Sequence, residues 1–142
     1  MDNAAFHAFM ARFRYGVVSS TSKAGTPQSA LVGIAVTPEL EIIFDTVASS
    51  RKYANLLANP AASFVIGLGD LSTGEVTVQF EGQAFQPTGM ELARCQQVYF
   101  AAWPDGPDRL SWPGIAYFVV RPKWIRYSDY DRRPPLIEEF TF

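Results

Sequence analysis

Ser49-Ser50-Arg51-Lys52 brings together residue types that can do chemistry as a group. The stretch follows an apolar strand ending Phe44-Asp45-Thr46. It opens an amphipathic helix with Tyr53, Leu56 and Leu57 on one face. The first turn of a helix carries about half a positive charge and N–H groups with no partner inside the helix. Two cations there have the wrong sign for the helix's own field and cost a few tenths of a kcal/mol. Hydroxyls, unpaired N–H groups and two basic side chains converging on one point form a site for a phosphate. The same residues also read as a plain N-cap at Ser50 followed by two solvated cations, so the surroundings of that turn decide between the two.

Other reactive residue types are few. The chain has one histidine, His7, and one cysteine, Cys95. One cysteine excludes a disulfide within the chain and a thiolate-rich metal site, and one histidine excludes a histidine-rich one. His7 falls beside the stripe of Phe6, Met10 and Phe13 and is expected to be exposed or capping. Cys95, near Leu92 and Val98, is expected to be a partly buried, inert thiol. Strand alternation accounts for Glu75 and Glu81, and a helix cap accounts for Glu91, so no side chain is assigned as an acid, base or nucleophile. Trp103, Trp112 and Trp124 are read as packing or interface anchors.

These residues sit in a chain of 142 residues with 48% hydrophobic and 14% aromatic content, enough for one real core and one domain spanning residues 1–142. The net charge of −2 and the lack of a basic run exclude a nucleic-acid binder. No apolar run reaches the roughly 18 residues that cross a bilayer, and no signal-peptide core is present. A soluble cytoplasmic protein is the expectation.

Helical spacing of Phe6, Phe9, Met10 and Phe13 predicts a short helix over 2–13, lying as a lid. Tyr15 to Thr21, Ser29 to Val36 and Leu40 to Thr46 read as an antiparallel meander, the second strand apolar enough to be buried on both faces. The helix from Arg51 stops at Asn59-Pro60. Strands follow over Ala62 to Leu68 and Glu75 to Gln86, with Gly69 to Gly74 as the loop between them and a bulge or a close approach of another backbone at Gly82. Thr88 and Glu91 suggest a capping box for a second helix to Ala101. An irregular stretch, Trp103 to Gly114, leads to strands over Ile115 to Arg121 and Lys123 to Tyr127, then an extended tail. The fold class is mainly β with inserted helices, a six- to seven-stranded antiparallel split β-barrel. Such a barrel is too narrow to hold a cofactor inside, so ligands bind outside it or between subunits.

Gly25-Thr26-Pro27-Gln28-Ser29, an apolar strand, Ile43-Phe44-Asp45-Thr46, Ser50-Arg51-Lys52, then Leu56 with Asn59-Pro60 before a strand, form an ordered series. That series resembles the flavin-binding split-barrel family that includes pyridoxamine 5′-phosphate oxidase, closely over residues 12–86 and by order of elements beyond. The resemblance implies a homodimer with FMN at the interface; a small-molecule substrate or a reduced nicotinamide donor is the further partner expected. By position it implies that Ser50, Arg51 and Lys52 hold the FMN phosphate, in agreement with the electrostatics above. It also implies that Thr46, with Asp45 beside it, contacts the ribityl chain and flavin. The backbone of Ser29, Ala30, Leu31 and Val32 would run along the isoalloxazine edge, and Thr77 would reach the flavin from a later strand.

Two departures bear on the substrate. Ala30 and Ala35 stand where the oxidase has an arginine and a lysine, each lost charge-assisted hydrogen bond being worth roughly 1.5–3 kcal/mol. Trp124 to Phe142 does not match the oxidase's arginine-rich substrate segment. The expectation is an FMN-dependent oxidoreductase of this type whose substrate is not pyridoxamine phosphate. The alternatives are a flavin- or haem-binding sensor or carrier without turnover, and a reductase using the deazaflavin F420, whose longer acidic tail asks for more cations than this groove offers.

Overall fold

Period-two alternation governs most of the chain, which a computed structural model describes over residues 1–70 and 74–142. In order, the elements are α1 (Asn3–Met10), β1 (Tyr15–Thr21), β2 (Pro27–Gly33), β3 (Ala35–Val36), β4 (Ile42–Val47), α2 (Arg51–Ala58), β5 (Ala61–Asp70) and β6 (Gly74–Phe85). Then come α3 (Gly89–Ala102), a 3₁₀ helix (Gly106–Ser111), β7 (Ile115–Asp129) and β8 (Leu136–Thr141). All strand pairs are antiparallel. Seven strands follow the path β2-β1-β5-β6-β7-β4-β3, and β8 adds to β7 off that path. The two ends of the path, β2 and β3, belong to one extended run interrupted at Ile34, whose N–H bonds the Arg14 carbonyl at 2.9 Å. That bend wraps the sheet around its core as a split barrel.

Inward residues from each strand meet in the barrel. Phe44, Phe64, Phe80 and Phe118 are at most 1% exposed, and Phe44 stacks on Phe118 with ring centroids 5.7 Å apart. Burying each such side chain contributes on the order of 1.5–3 kcal/mol. Asp2 caps α1 by accepting from the Ala5 N–H at 2.8 Å. The helix then drives Phe6 and Met10 into the barrel end, where Phe6 meets Tyr127 and Phe140 edge-on. A second cluster lies on the other face of β4 and β7. There Cys95 and Tyr99 of α3, with Trp103 at its C-cap, pack on Ala35, Ile43, Tyr117 and Val119. Residues of β4 therefore alternate between two layers, Ile42 and Phe44 to the barrel and Ile43 to α3.

Several sequence expectations need adjustment. The strand expected over Ser29 to Val36 is not buried on both faces. Within the single chain β2 is an edge strand, and Leu31 is 67% exposed. On α2 the buried residues are Asn55 and Leu56, while Leu57 faces solvent. Thr88 occupies the N-cap of α3 without a side-chain bond, and the Glu91 carboxylate pairs with Arg121 at 3.0 Å, so no capping box forms. The irregular stretch contains a 3₁₀ helix, the two late strands are one continuous β7, and the tail forms β8. Of the expected loop Gly69 to Gly74, Gly69 and Asp70 belong instead to β5 and Gly74 to β6, and residues 71–73 lie outside those described. Gly82 is at a register shift between β6 and β7, and a Cβ there would overlap the Arg121 carbonyl oxygen. The residue left without a partner by that shift is Lys123 of β7, so Gly82 marks a close approach of the neighbouring backbone opposite the bulge.

Candidate functional site

The start of α2 faces a cleft of about 440 Å³. Val18, Pro27, Gln28, Ser29 and Ala30 form its strand wall, and Arg51 and Lys52 its helix wall. Ser50, in extended conformation, ends β4's turn and starts the helix. Its Oγ accepts from the Tyr53 N–H at 3.2 Å and lies 2.9 Å from Thr46 Oγ1. This cap leaves the N–H groups of Arg51 and Lys52 without a partner inside the helix. Two cations and two N–H groups therefore share the cleft's floor, while Val18 and Ala30 give it an apolar wall.

Behind that wall lies a polar chain that sequence reasoning missed. Asn55, 7% exposed, sits one turn after Arg51. Its carboxamide is 2.7 Å from that of Gln28 and 3.1 Å from Ser20 Oγ. A buried amide is costly unless bonded, and these contacts satisfy it. The Arg51 guanidinium bears on the far end of the Gln28 carboxamide, with Nε 3.0 Å away. The available signal was an asparagine on the otherwise apolar face of α2.

The predicted site residues divide into three groups. Ser29, Ala30, Arg51 and Lys52 line the cleft directly, with Ser50 and Thr46 forming the cap beneath it. Val32 is 8% exposed and directs its side chain into the core, so only its backbone is open to the outside. Leu31, Asp45 and Thr77 do not line this cleft. Leu31 points to the outer face of the sheet. Asp45 is on the opposite face of β4 from Thr46 and pairs with Arg109 at 2.8 Å, which also holds Asp105 at 3.0 Å. That pair anchors the end of β4 to the 3₁₀ helix. Beside it, burial raises the Tyr99 hydroxyl above its ordinary range, and the Asp45 charge adds to the effect. Thr77 pairs with Gly67 and Ser128, on the outer face with Gln79 and Val65.

Those outer-face residues continue into an apolar row. Val17 is the register partner of both Leu31 and Val65, and Tyr15 follows two residues before it. These four side chains are between 37% and 67% exposed. No cluster of three or more histidine, cysteine or carboxylate side chains able to hold a metal occurs among the described residues. His7 lies on α1, where its Nε2 donates to the Val36 carbonyl at 3.2 Å, and it is absent from the cleft lining. The Cys95 thiol is 2% exposed and burial raises its pKa, so it is an inert packing group.

The donor set fits a ligand with one phosphate and one flat apolar part, as FMN has. None of the residues lining this cleft is a histidine, cysteine, methionine or tyrosine, so within one chain the cleft itself offers no haem ligand. The family model of pyridoxamine 5′-phosphate oxidase matches residues 3–129. Among solved structures, a haem binding protein from Mycobacterium smegmatis superposes with TM-score 0.82 at 19% identity, covering 99% of this chain and 59% of that one. This chain thus spans about three fifths of that protein's length. The haem storage protein HutZ from Vibrio cholerae gives TM-score 0.73 at 12% identity over 96% of this chain and 92% of its own. A pyridoxamine 5′-phosphate oxidase-related, FMN binding protein from Nostoc punctiforme gives TM-score 0.69 at 12% identity over 97% and 93%. No curated protein matches the sequence. At these identities the structural likeness is one of fold.

Proposed function

This chain belongs to the pyridoxamine 5′-phosphate oxidase family, and we propose that within it the protein binds FMN in the cleft between α2 and β2. The observation that carries this reading is the cap geometry of α2. Ser50 and Thr46 fix the turn, which leaves the Lys52 side chain and the N–H groups of Arg51 and Lys52 to meet a phosphate, with the Arg51 guanidinium held beside them by Gln28. The apolar flank of Val18 and Ala30 supplies a surface for the flat part of the ligand. When bound, FMN would supply two-electron redox chemistry at its N5. The chain's own part is to hold the phosphate, orient the ring and exclude water.

The exposed row Tyr15, Val17, Leu31 and Val65 supports a homodimer packed through the outer face of β2, β1 and β5. Because β2 borders both that face and the cleft, a second copy would stand beside the bound ligand. Thr77 and Leu31, remote from the single-chain cleft, lie on this face and would meet the partner's cofactor. Ala35 is enclosed by Trp103, Tyr99 and Ile43, so a lysine has no room there. With Ala30 uncharged as well, the site is poor in cations for a phosphorylated substrate beside a phosphorylated cofactor, which argues against pyridoxamine phosphate.

Holding the flavin is the reading supported best. Hydride transfer to a small substrate, making the protein an oxidoreductase, is the finer one. Among the described residues, no helix is long and apolar enough to cross a membrane. The test is the absorption spectrum of the purified protein, with mass spectrometry of the ligand released by denaturation. FMN supports the reading, and a colourless protein that ignores added FMN removes it. Anaerobic mixing with NADH or NADPH then separates an enzyme, in which bound flavin bleaches, from a carrier, in which it does not. A second reading, haem binding, is favoured by the likeness to the M. smegmatis and V. cholerae proteins. A Soret band that appears on haem addition and survives gel filtration would replace FMN with haem.

A further inference from the structure

Gln28 ties the two walls of the cleft together. It faces Ser20 across the β1–β2 ladder, and both side chains lie on the side covered by α2. Arg51 and Asn55, one turn apart on α2, bracket its carboxamide. A guanidinium only donates, so the Gln28 oxygen faces Arg51 and its amino group faces Asn55, whose carboxamide oxygen accepts from it and from the Ser20 hydroxyl. Ser20, Asn55, Gln28 and Arg51 thus form one hydrogen-bonded brace running from β1 through α2 to β2 and back to the helix start.

The brace makes the cleft asymmetric. Towards Val18 and Ala30 the strand wall is apolar. Towards Pro27 the wall is polar and crossed by Gln28 and Arg51. A ligand with a flat apolar part and a phosphate must lie with the flat part along Val18 and Ala30 and the phosphate at Lys52. Whatever is attached beyond that phosphate runs into the brace. We propose that Gln28, supported by Asn55, is a specificity-determining residue that ends the cleft after one phosphate. The cleft then accepts FMN and rejects flavins extended through a second phosphate, such as FAD. This inference rests on the FMN reading above. Displacing the guanidinium from Gln28 breaks a hydrogen bond to a charged group, which lowers affinity roughly tenfold to a hundredfold.

The experiment is calorimetric titration of FMN and FAD into the wild-type protein and Gln28→Ala, with thermal melts to establish that the variant is folded. The wild type is expected to prefer FMN by about tenfold or more, and Gln28→Ala to shrink that preference by about tenfold, mainly through tighter FAD binding. Gln28→Asn withdraws the carboxamide from Arg51 with the least change in shape, and gives the same shift should the alanine variant fail to fold. Equal affinity for FMN and FAD in the wild type, or an unchanged ratio in the folded variant, overturns the inference and leaves the FMN reading in place. A wild type that binds neither flavin overturns both.

Discussion

Ser50 does two jobs with one oxygen. It accepts the Tyr53 N–H that would otherwise be unpaired, and it holds Thr46 at the end of β4. Replacing it with alanine should lower stability by about 1 kcal/mol, read as a shift in the urea midpoint at constant slope, and Ser50→Gly should lower it less. A midpoint that does not move would show that the cap contributes nothing. Ser50, Arg51 and Lys52 were legible in the sequence because capping and helix electrostatics act within one turn. Asn55 and Gln28 were not, since they are 27 residues apart and meet only when α2 folds over β2. Asp45 shows the limit of adjacency: next to Thr46 in sequence, it points to the opposite layer and to Arg109. Strand period, applied to the buried Phe44, separates the two.

Among the elements, the β6–β7 ladder depends most visibly on one backbone approach. Gly82 lies where the register shifts and a side chain would collide with the Arg121 carbonyl. Gly82→Ala should therefore destabilise by about 2–3 kcal/mol in urea denaturation, and a loss below about 0.5 kcal/mol would mean that the bulge relaxes freely. That close approach was readable because glycine inside an otherwise alternating strand has few other causes, whereas the extra residue itself, Lys123, is on β7 and carries no such mark. The tail was harder. Its alternation turns Leu136, Glu138 and Phe140 to the same side of β8, and a carboxylate there spoils the apolar pattern. Glu138 is accommodated because the Met1 ammonium meets it at 2.8 Å, a contact between chain ends that no local pattern announces. The edge position of β2 was hidden for a related reason. An apolar strand exposed in one copy has the same composition as one buried on both faces.

For the molecule as a whole, the apolar row on the outer sheet face and the buried hydroxyls of the core give two independent predictions. Leu31→Glu places a charge in the proposed interface, so light scattering should show the mass fall from that of two chains to that of one. A wild type that is already monomeric contradicts the dimer. Burial raises the Cys95 thiol and the Tyr99, Tyr117 and Tyr127 hydroxyls above their ordinary values of 9.0 and 10.0. The unfolded chain therefore loses these protons first as pH rises. Their contribution to stability is complete below about pH 9 and declines as pH climbs through the folded values, so the urea midpoint should be lower at about pH 10.5 than at about pH 8. The fold was legible because alternation and turn residues agree along most of the chain, whereas the occupant of the cleft depends on a few side chains. The most direct measurement is an FMN titration of the wild type beside Arg51→Ala/Lys52→Ala, with riboflavin as the phosphate-free control. The wild type should bind FMN with a Kd below about 10 μM and riboflavin far more weakly, and the double variant should lose about a hundredfold or more for FMN only. Equal FMN affinity in the two proteins, or equal affinity of the wild type for FMN and riboflavin, would contradict a phosphate held at the start of α2.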